Sequence, residues 1–169
     1  MGKKICSVLS TILLIALLAL AGLMFVPRIF GCEEFAVLSG SMVPTIPVGS
    51  LVVDKKADNA SIEVGDIVTY QISEETLVTH RITAIDEAAK TVTTKGDANN
   101  VEDGAPVPFS SIIGVYAFHV PYVGYISIYG KTPLGISGLC GVLIVVILLN
   151  FLPDALSSDG EEKHAIKED

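Results

Sequence analysis

The sequence predicts an all-β domain flanked by an N-terminal and a C-terminal transmembrane α-helix. Two long stretches, residues 5–26 and 134–152, contain no charged side chain. Between them lie short segments rich in β-branched residues, separated by turn-forming residues. The 169 residues leave room for one domain besides these stretches. We therefore expect a β domain of roughly ninety residues, which can hold a modest core.

The first apolar stretch is long enough to span a bilayer. As a helix, residues 5–26 would extend about 33 Å, and a hydrocarbon core is about 30 Å thick. A cleavable signal peptide is the alternative, because residues 19–21 form a small-x-small cleavage site. The apolar run continues past that site, whereas signal-peptide cores are usually about 7–15 residues. We therefore predict a retained anchor over residues 1–27.

The charges beside this stretch bear on its orientation. Lys3 and Lys4 precede it and favour a cytoplasmic N-terminus, although Arg28 beyond it weakens the asymmetry.

The second apolar stretch, residues 134–152, would form a helix of about 28 Å and is predicted to be a second span. Pro153 is expected to end it, because proline disrupts a helix interior. Residues 153–169 are polar and acidic, and we expect them to be disordered. The β domain is assigned to residues 28–133.

Alternating and β-branched segments predict the strands of this domain. The clearest runs over residues 77–85, where His80 and Ala84 share one face and Arg81 points to the other. The other predicted strands cover residues 35–38, 50–54, 67–72, 91–95 and 112–120.

Four of the five tyrosines fall within residues 116–129. Because tyrosine is enriched at membrane–water interfaces, this segment could rest on the bilayer, or it could hold ordinary core aromatics. Both interpretations stay open.

Charge and cysteine usage exclude several classes of protein. Net charge is -8, and no basic run exceeds two residues, so nucleic-acid binding is not expected. The three cysteines show no CxxC spacing, and the three histidines show no HExxH pattern. We therefore expect neither a metal nor a cofactor.

The loop at residues 39–45, Ser-Gly-Ser-Met-Val-Pro-Thr, is the first feature that suggests chemistry. It follows a predicted strand and is rich in residues that break helix and strand, so its serines would be displayed on a sharp turn. The three side-chain types that a serine hydrolase uses are present as Ser41, His80 and a turn aspartate, either Asp97 or Asp103. Each residue alone is more simply explained as structural, and periodicity does not show that they meet.

Three ordered motifs resemble those of type I signal peptidases. Residues 39–45 resemble the nucleophile box, Thr-His-Arg-Ile at 79–82 the second box, and Lys-Gly-Asp-Ala-Asn at 95–99 followed by Asp103 the third. Most bacterial members carry lysine in the second box. The histidine here is similar to the branch shared by archaea, the endoplasmic reticulum and the SipW-like enzymes.

The resemblance implies a role for each matching residue. Ser41 would be the nucleophile, His80 the general base and Asp103 the third triad member. Asp97 matches a second important acid whose role is less defined. Ser39 matches a serine whose hydroxyl, with the Ser41 N–H, forms an oxyanion hole in some members.

Lysine is the competing base. Lys55 and Lys56 lie fourteen and fifteen residues after Ser41, outside the matching box. We therefore favour His80 as the base.

The implied function is removal of signal peptides from secreted preproteins at the cell membrane, with the catalytic domain on the extracytoplasmic side. The partners would be signal peptides and the lipid bilayer, and an association with the secretion machinery stays open. Two alternatives remain. One is a doubly anchored β module that binds or scaffolds exported proteins without catalysis. The other is a self-cleaving repressor-type protease, although its Ser–Lys pair and DNA-binding segment are not visible here.

Overall fold

The computed structural model describes residues 2–58, 61–130 and 132–165, with side chains for 4–58, 61–130 and 132–151. It divides into two compact units, one of Met1–Leu23 and Gly130–Asp169 and the other of Met24–Tyr129. The elements in chain order are α1 (Gly2–Ile29), β1 (Cys32–Ala36), β2 (Leu51–Lys56), β3 (Ile67–Ser73), β4 (Thr76–Asp86), β5 (Thr91–Lys95), β6 (Val107–Pro108), β7 (Ile112–Val120), α2 (Gly124–Tyr129) and α3 (Pro133–Ala165).

Two helices are long and apolar enough to cross a membrane. The candidate spans are Lys4–Ile29 in α1, with mean hydropathy 2.7, and Pro133–Phe151 in α3, with mean hydropathy 2.5. The predicted fold class, a β domain flanked by two apolar helices, is confirmed. A signal sequence would meet the same criterion as α1, which lies near the N-terminus.

Both helices extend beyond their predicted ends. α1 continues through Pro27 to Ile29 and is followed by Gly31, whose φ of 75° is typical of a residue that ends a helix. α3 continues past Pro153 to Ala165, contrary to the expected break and disordered tail. Proline removes one helical hydrogen bond, but residues on either side keep theirs. Residues 166–169 lie outside the described part of the chain.

The strands form one seven-stranded antiparallel sheet in the order β1-β2-β7-β3-β4-β5-β6. The strands predicted at residues 50–54, 67–72, 77–85, 91–95 and 112–120 are confirmed as β2, β3, β4, β5 and β7. The strand expected at residues 35–38 begins three residues earlier, because pairing with β2 already starts at Cys32.

The core strands are covered on both faces. Leu51 to Asp54 in β2 and Ile67 to Tyr70 in β3 are all buried. Ile67 belongs to one apolar cluster, with Met42 and Ile46, whereas the adjacent Val68 belongs to another. Since neighbouring strand residues point to opposite faces, the two clusters lie on opposite sides of β3.

The alternation predicted for β4 holds for His80 and Ile82 and is wrong at Ala84. A register shift against β5 lies between Ile82 and Ala84, so Ala84 is exposed and Ile85 packs against the core. Such a bulge places one extra residue in the strand and reverses the facing of the residues after it.

The tyrosine-rich segment contains a short helix, α2, that the sequence did not predict. Tyr122 and Tyr129 are exposed, so ordinary core packing does not account for them, whereas the Tyr125 ring packs against Gly49 and is 39% exposed. Tyr116 is half-buried and hydrogen-bonds His119 at 2.8 Å.

Candidate active site

The Ser41 loop is fixed by apolar anchors and by backbone hydrogen bonds. Met42 and Ile46 are buried at 2% and 0% exposure, and the Ile46 N–H donates to the Met42 carbonyl. Ser41 stays half-buried between them and the surface. The Ser39 hydroxyl lies 3.4 Å from the Ser41 hydroxyl. The loop therefore presents two serine hydroxyls side by side.

His80 lies on β4, buried and paired with Asp103. Its Nδ1 is 2.6 Å from Asp103 Oδ2. When Nδ1–H donates to that carboxylate, Nε2 of the neutral ring carries a free lone pair and can accept a proton. The pair thus fixes the tautomer that a general base requires.

Asp103 lies on the loop between β5 and β6, yet it is held by two strands. Its Oδ2 also accepts hydrogen bonds from Thr94 Oγ1 at 2.7 Å and Tyr70 Oη at 3.1 Å. Burial by itself raises the pKa of Asp103, but the hydrogen bonds from His80, Thr94 and Tyr70 and the His80 charge outweigh it. The pKa is therefore lowered from its ordinary value.

Gly96 brings the serine loop and His80 together. A Cβ added at Gly96 would lie 2.7 Å from the Ser41 carbonyl oxygen and 3.0 Å from His80 Nε2. The Ser41 carbonyl also accepts a hydrogen bond from the Ala98 N–H at 2.8 Å. His80 Nε2 and the Ser41 carbonyl therefore both lie against Gly96, and only glycine leaves room for both.

Asp97 is bound to a different partner. Its carboxylate accepts from Arg81 Nε at 2.8 Å and Nη2 at 2.7 Å, and from Thr45 Oγ1 at 2.5 Å. The Arg81 hydrogen bonds are the largest cause of its lowered pKa. Thr45 belongs to the Ser41 loop, so Asp97 ties that loop to β4.

An open groove of about 720 Å³ runs past Ser41 and His80. Its walls come from residues 34–39 on one side and 75–80 on the other, with Met42 and Ile46 contributing apolar floor. β4 pairs with β5 only from Arg81 onward, so within the described ranges residues 76–80 have one strand edge unpaired. An extended peptide could add to such an edge.

The opposite wall also offers free backbone groups. Val37 donates its N–H to the Ser50 carbonyl and accepts from the Gly49 N–H, so it faces β2. Alternate residues of an extended segment direct their backbone groups to opposite sides. The backbone groups of Ala36 and Leu38 therefore point away from β2.

The structure brings Ser39, Ser41, His80 and Asp103 into one site and directs Asp97 to Arg81. Lys55 and Lys56, the competing bases, are exposed at the end of β2 and do not line the groove. In the described part of the chain, no group of three His, Cys, Asp or Glu side chains could hold a metal ion.

Sequence reasoning missed Tyr70, Thr94, Arg81 and Thr45. Tyr70 and Thr94 lie on predicted strands, and their shared target became visible only once the strand pairing was known. Arg81 and Thr45 lie within the recognised motifs, and that position was a signal that could have identified them.

Two comparisons bear on the identity of the chain. Residues 8–115, more than half of it, match the family described as "Signal peptidase, peptidase S26". The chain is also similar to "Signal peptidase I W" of Bacillus subtilis (strain 168), with 37% identity over 99 residues. That alignment covers 56% of this chain and 52% of the relative, so the chain matches about half the relative's length. With the serine loop, the histidine strand and the aspartate turn all inside the matched residues, the chain belongs to the signal peptidase family, peptidase S26.

Proposed function

We propose that this chain is a membrane-bound serine endopeptidase that removes signal peptides from exported preproteins, with Ser41, His80 and Asp103 as its triad. The observation that carries the proposal is the convergence at Gly96. There, His80 Nε2 and the Ser41 carbonyl both lie close to the glycine, while Nδ1 of His80 binds Asp103. A serine is a weak nucleophile at neutral pH and needs such a base.

The chemistry follows from this arrangement. His80 Nε2 takes the proton of Ser41 Oγ as the oxygen attacks the scissile carbonyl, and Asp103 stabilises the imidazolium that forms. The Ser39 hydroxyl and the Ser41 N–H would stabilise the oxyanion of the tetrahedral intermediate. His80 then gives its proton to the leaving amine. A water molecule, deprotonated by His80, hydrolyses the acyl-enzyme and regenerates Ser41.

The groove supports a peptide substrate in extended conformation. Its two walls present unpaired backbone groups, to which a peptide can add as a strand. Met42 and Ile46 make the floor beside Ser41 apolar. We propose that small side chains one and three residues before the cut fit this floor, as the resemblance implies.

We further propose that α1 and α3 both span the membrane and that the β domain lies outside the cytoplasm. A signal peptide emerging from the bilayer would then reach the groove directly. The exposed Tyr122, Tyr125 and Tyr129 support contact with the membrane–water interface. We propose peptidase boundaries at residues 28–133, close to the compact unit Met24–Tyr129.

The activity is tested by co-expressing the chain with a tagged preprotein and following its processing. Wild type should shorten the preprotein, and Ser41→Ala should not. Ser110→Ala, at an exposed serine outside the groove, serves as the matched control and should process normally. Equal processing by wild type and Ser41→Ala would favour the scaffold alternative. A serine-directed acylating probe should likewise label wild type and not Ser41→Ala.

Sidedness is tested with a cysteine introduced at the exposed Glu63 and an impermeant thiol reagent. We expect labelling in intact cells. Labelling only after permeabilisation would contradict the proposed topology.

A further inference from the structure

We propose that Tyr70 and Thr94 are positioning residues that hold Asp103 in the orientation His80 requires, so that the triad operates as a five-residue unit. This inference rests on the proposed function. The Tyr70 and Thr94 hydroxyl groups come from β3 and β5, the strands on either side of β4.

The three donors converge on one oxygen. Asp103 Oδ2 accepts hydrogen bonds from His80 Nδ1 at 2.6 Å, Thr94 Oγ1 at 2.7 Å and Tyr70 Oη at 3.1 Å. The Tyr70 and Thr94 hydroxyls are themselves 3.1 Å apart. Thr94 is fully buried and Tyr70 is 3% exposed, so water does not replace either hydroxyl readily.

Asp103 needs this support because of where it lies in the chain. It belongs to an irregular loop, whereas Tyr70 and Thr94 belong to β3 and β5. The Asp103 N–H also donates to the Thr94 carbonyl at 2.9 Å, so Thr94 holds both the backbone and the side chain. Strand residues position a catalytic group more accurately than a loop does by itself.

The network also keeps Asp103 ionised. The titratable groups around Asp103 are His80 from β4 and Tyr70 from β3. Asp97, which belongs to the same loop as Asp103, lies near His80. Burial is the main cause that raises the pKa of Tyr70 to about 12, so the phenol stays protonated and remains a donor at working pH. Removing a donor leaves more negative charge on Asp103, which favours the imidazolium form of His80, so the acidic limb of the pH–rate profile should shift to higher pH.

The test uses variants that remove hydroxyls while keeping shape, in the full-length chain. Tyr70→Phe and Thr94→Val should each lower kcat about tenfold, the loss expected for a hydrogen bond to a charged group. KM should stay constant because neither residue lines the Ser41 groove. The acidic limb of the pH–rate profile should shift to higher pH in both variants. Thr94→Ser, which keeps the hydroxyl, should recover most of the activity and the wild-type limb.

Two matched controls separate this role from ordinary packing. Thr93→Val changes the neighbouring residue on β5, whose side chain points to the opposite face. Tyr116→Phe removes a phenol that bonds His119 instead. Both should keep wild-type kcat and pH profile. The inference is overturned if Tyr70→Phe and Thr94→Val leave kcat and the acidic limb unchanged, or if Thr94→Ser is as impaired as Thr94→Val.

A readout without turnover distinguishes this inference from the proposed function. In a chain labelled with ¹⁵N-histidine, the His80 Nδ1 proton, identified by its loss in His80→Gln, should give a low-field NMR signal. That signal should move in Thr94→Val and Tyr70→Phe and stay in place in both controls. If wild type processes no preprotein but the signal responds, the network stands and the proposed function fails. An unresponsive signal contradicts the network whatever the activity.

Discussion

Two adjacent residues of β4 each bond an aspartate on opposite faces of the strand, and the two pairs differ in what they hold. His80 is buried and bonds Asp103, which two strand hydroxyls also hold. Arg81 is about a third exposed and bonds Asp97, which reaches Thr45 of the nucleophile loop. Both acids come from the same loop after β5, six residues apart. Because neighbouring strand residues point to opposite faces, Asp103 pairs with His80, and Asp97 pairs with Arg81 and the Ser41 loop.

The largest effect is expected from replacing His80, the proposed base. His80→Lys and His80→Ala should both lack detectable processing of a preprotein. A lysine at position 80 would lie against the Asp103 carboxylate, which favours the charged ammonium, and a charged lysine cannot accept a proton. Wild-type kcat/KM should rise with pH through one ionisation in the range of histidine side chains. Substantial processing by His80→Lys would exclude histidine as the base.

The next effect separates the two acids. Asp103→Asn should lower kcat by about 10⁴-fold, the loss seen when a triad acid becomes an amide, because the amide favours the wrong histidine tautomer. Thermal unfolding should show a native-like fold. If turnover stays near that of wild type, Asp103 is not the triad acid.

A smaller effect is expected for Asp97→Asn, which leaves the His80–Asp103 pair in place. We expect kcat to fall about tenfold, because the amide offers Arg81 and Thr45 one acceptor oxygen instead of two and so loosens the tie between the Ser41 loop and β4. We also expect a stability loss of only about 1 kcal/mol, since Arg81 is partly solvated. Arg81→Gln should cause a similar loss, and the double variant should be little worse than either single one. Additive losses would mean that the two residues act separately.

Asp54 differs from Asp97 and Asp103 because it is a buried acid without a hydrogen-bonded partner among the described residues. It is fully buried on β2, and neither carboxylate oxygen has a hydrogen-bond partner among the described residues. Burial is the main cause that raises its pKa to about 6, with Thr69 opposing and Glu33 adding to the shift. Thr69 does not hydrogen-bond Asp54, so burial determines the direction of the shift in the Asp54 pKa.

The sign of the Asp54 contribution follows from that raised pKa. The folded state holds the proton more tightly than the unfolded state, so this contribution is fully present below the ordinary value of 3.8. It is lost as pH rises through about 6, at a total cost of about 2–3 kcal/mol. Asp54→Asn should remove this dependence, as measured by denaturant unfolding between pH 4 and 8. An unchanged slope would place the dependence on another group.

The two paired acids should show the opposite and smaller dependence. The pKa values of Asp97 and Asp103 are lowered on folding, so their stabilisation is present above the ordinary value of 3.8 and is lost as pH falls below it. Asp97→Asn should flatten the acid side of the stability curve. A curve identical to wild type below pH 4 would contradict this assignment.

The sequence alone determined the architecture and the site motifs. The length of the two stretches without charged side chains predicted both candidate spans. β-branched composition predicted five strands close to their observed bounds, because both signals are local. The three motifs named Ser41, His80, Asp97 and Asp103 as site residues. The ends of the helices were less predictable, because a proline weakens a helix without deciding where it ends.

Only the tertiary structure decided which groups meet. The pairing of His80 with Asp103 depends on an irregular loop, which has no periodicity to reveal it. The convergence of Tyr70 and Thr94 on one oxygen depends on the register of β3, β4 and β5. The close approach of His80 Nε2 and the Ser41 carbonyl to Gly96 depends on the missing side chain of that glycine. These features join residues far apart in the chain, and close packing rather than local preference determines them.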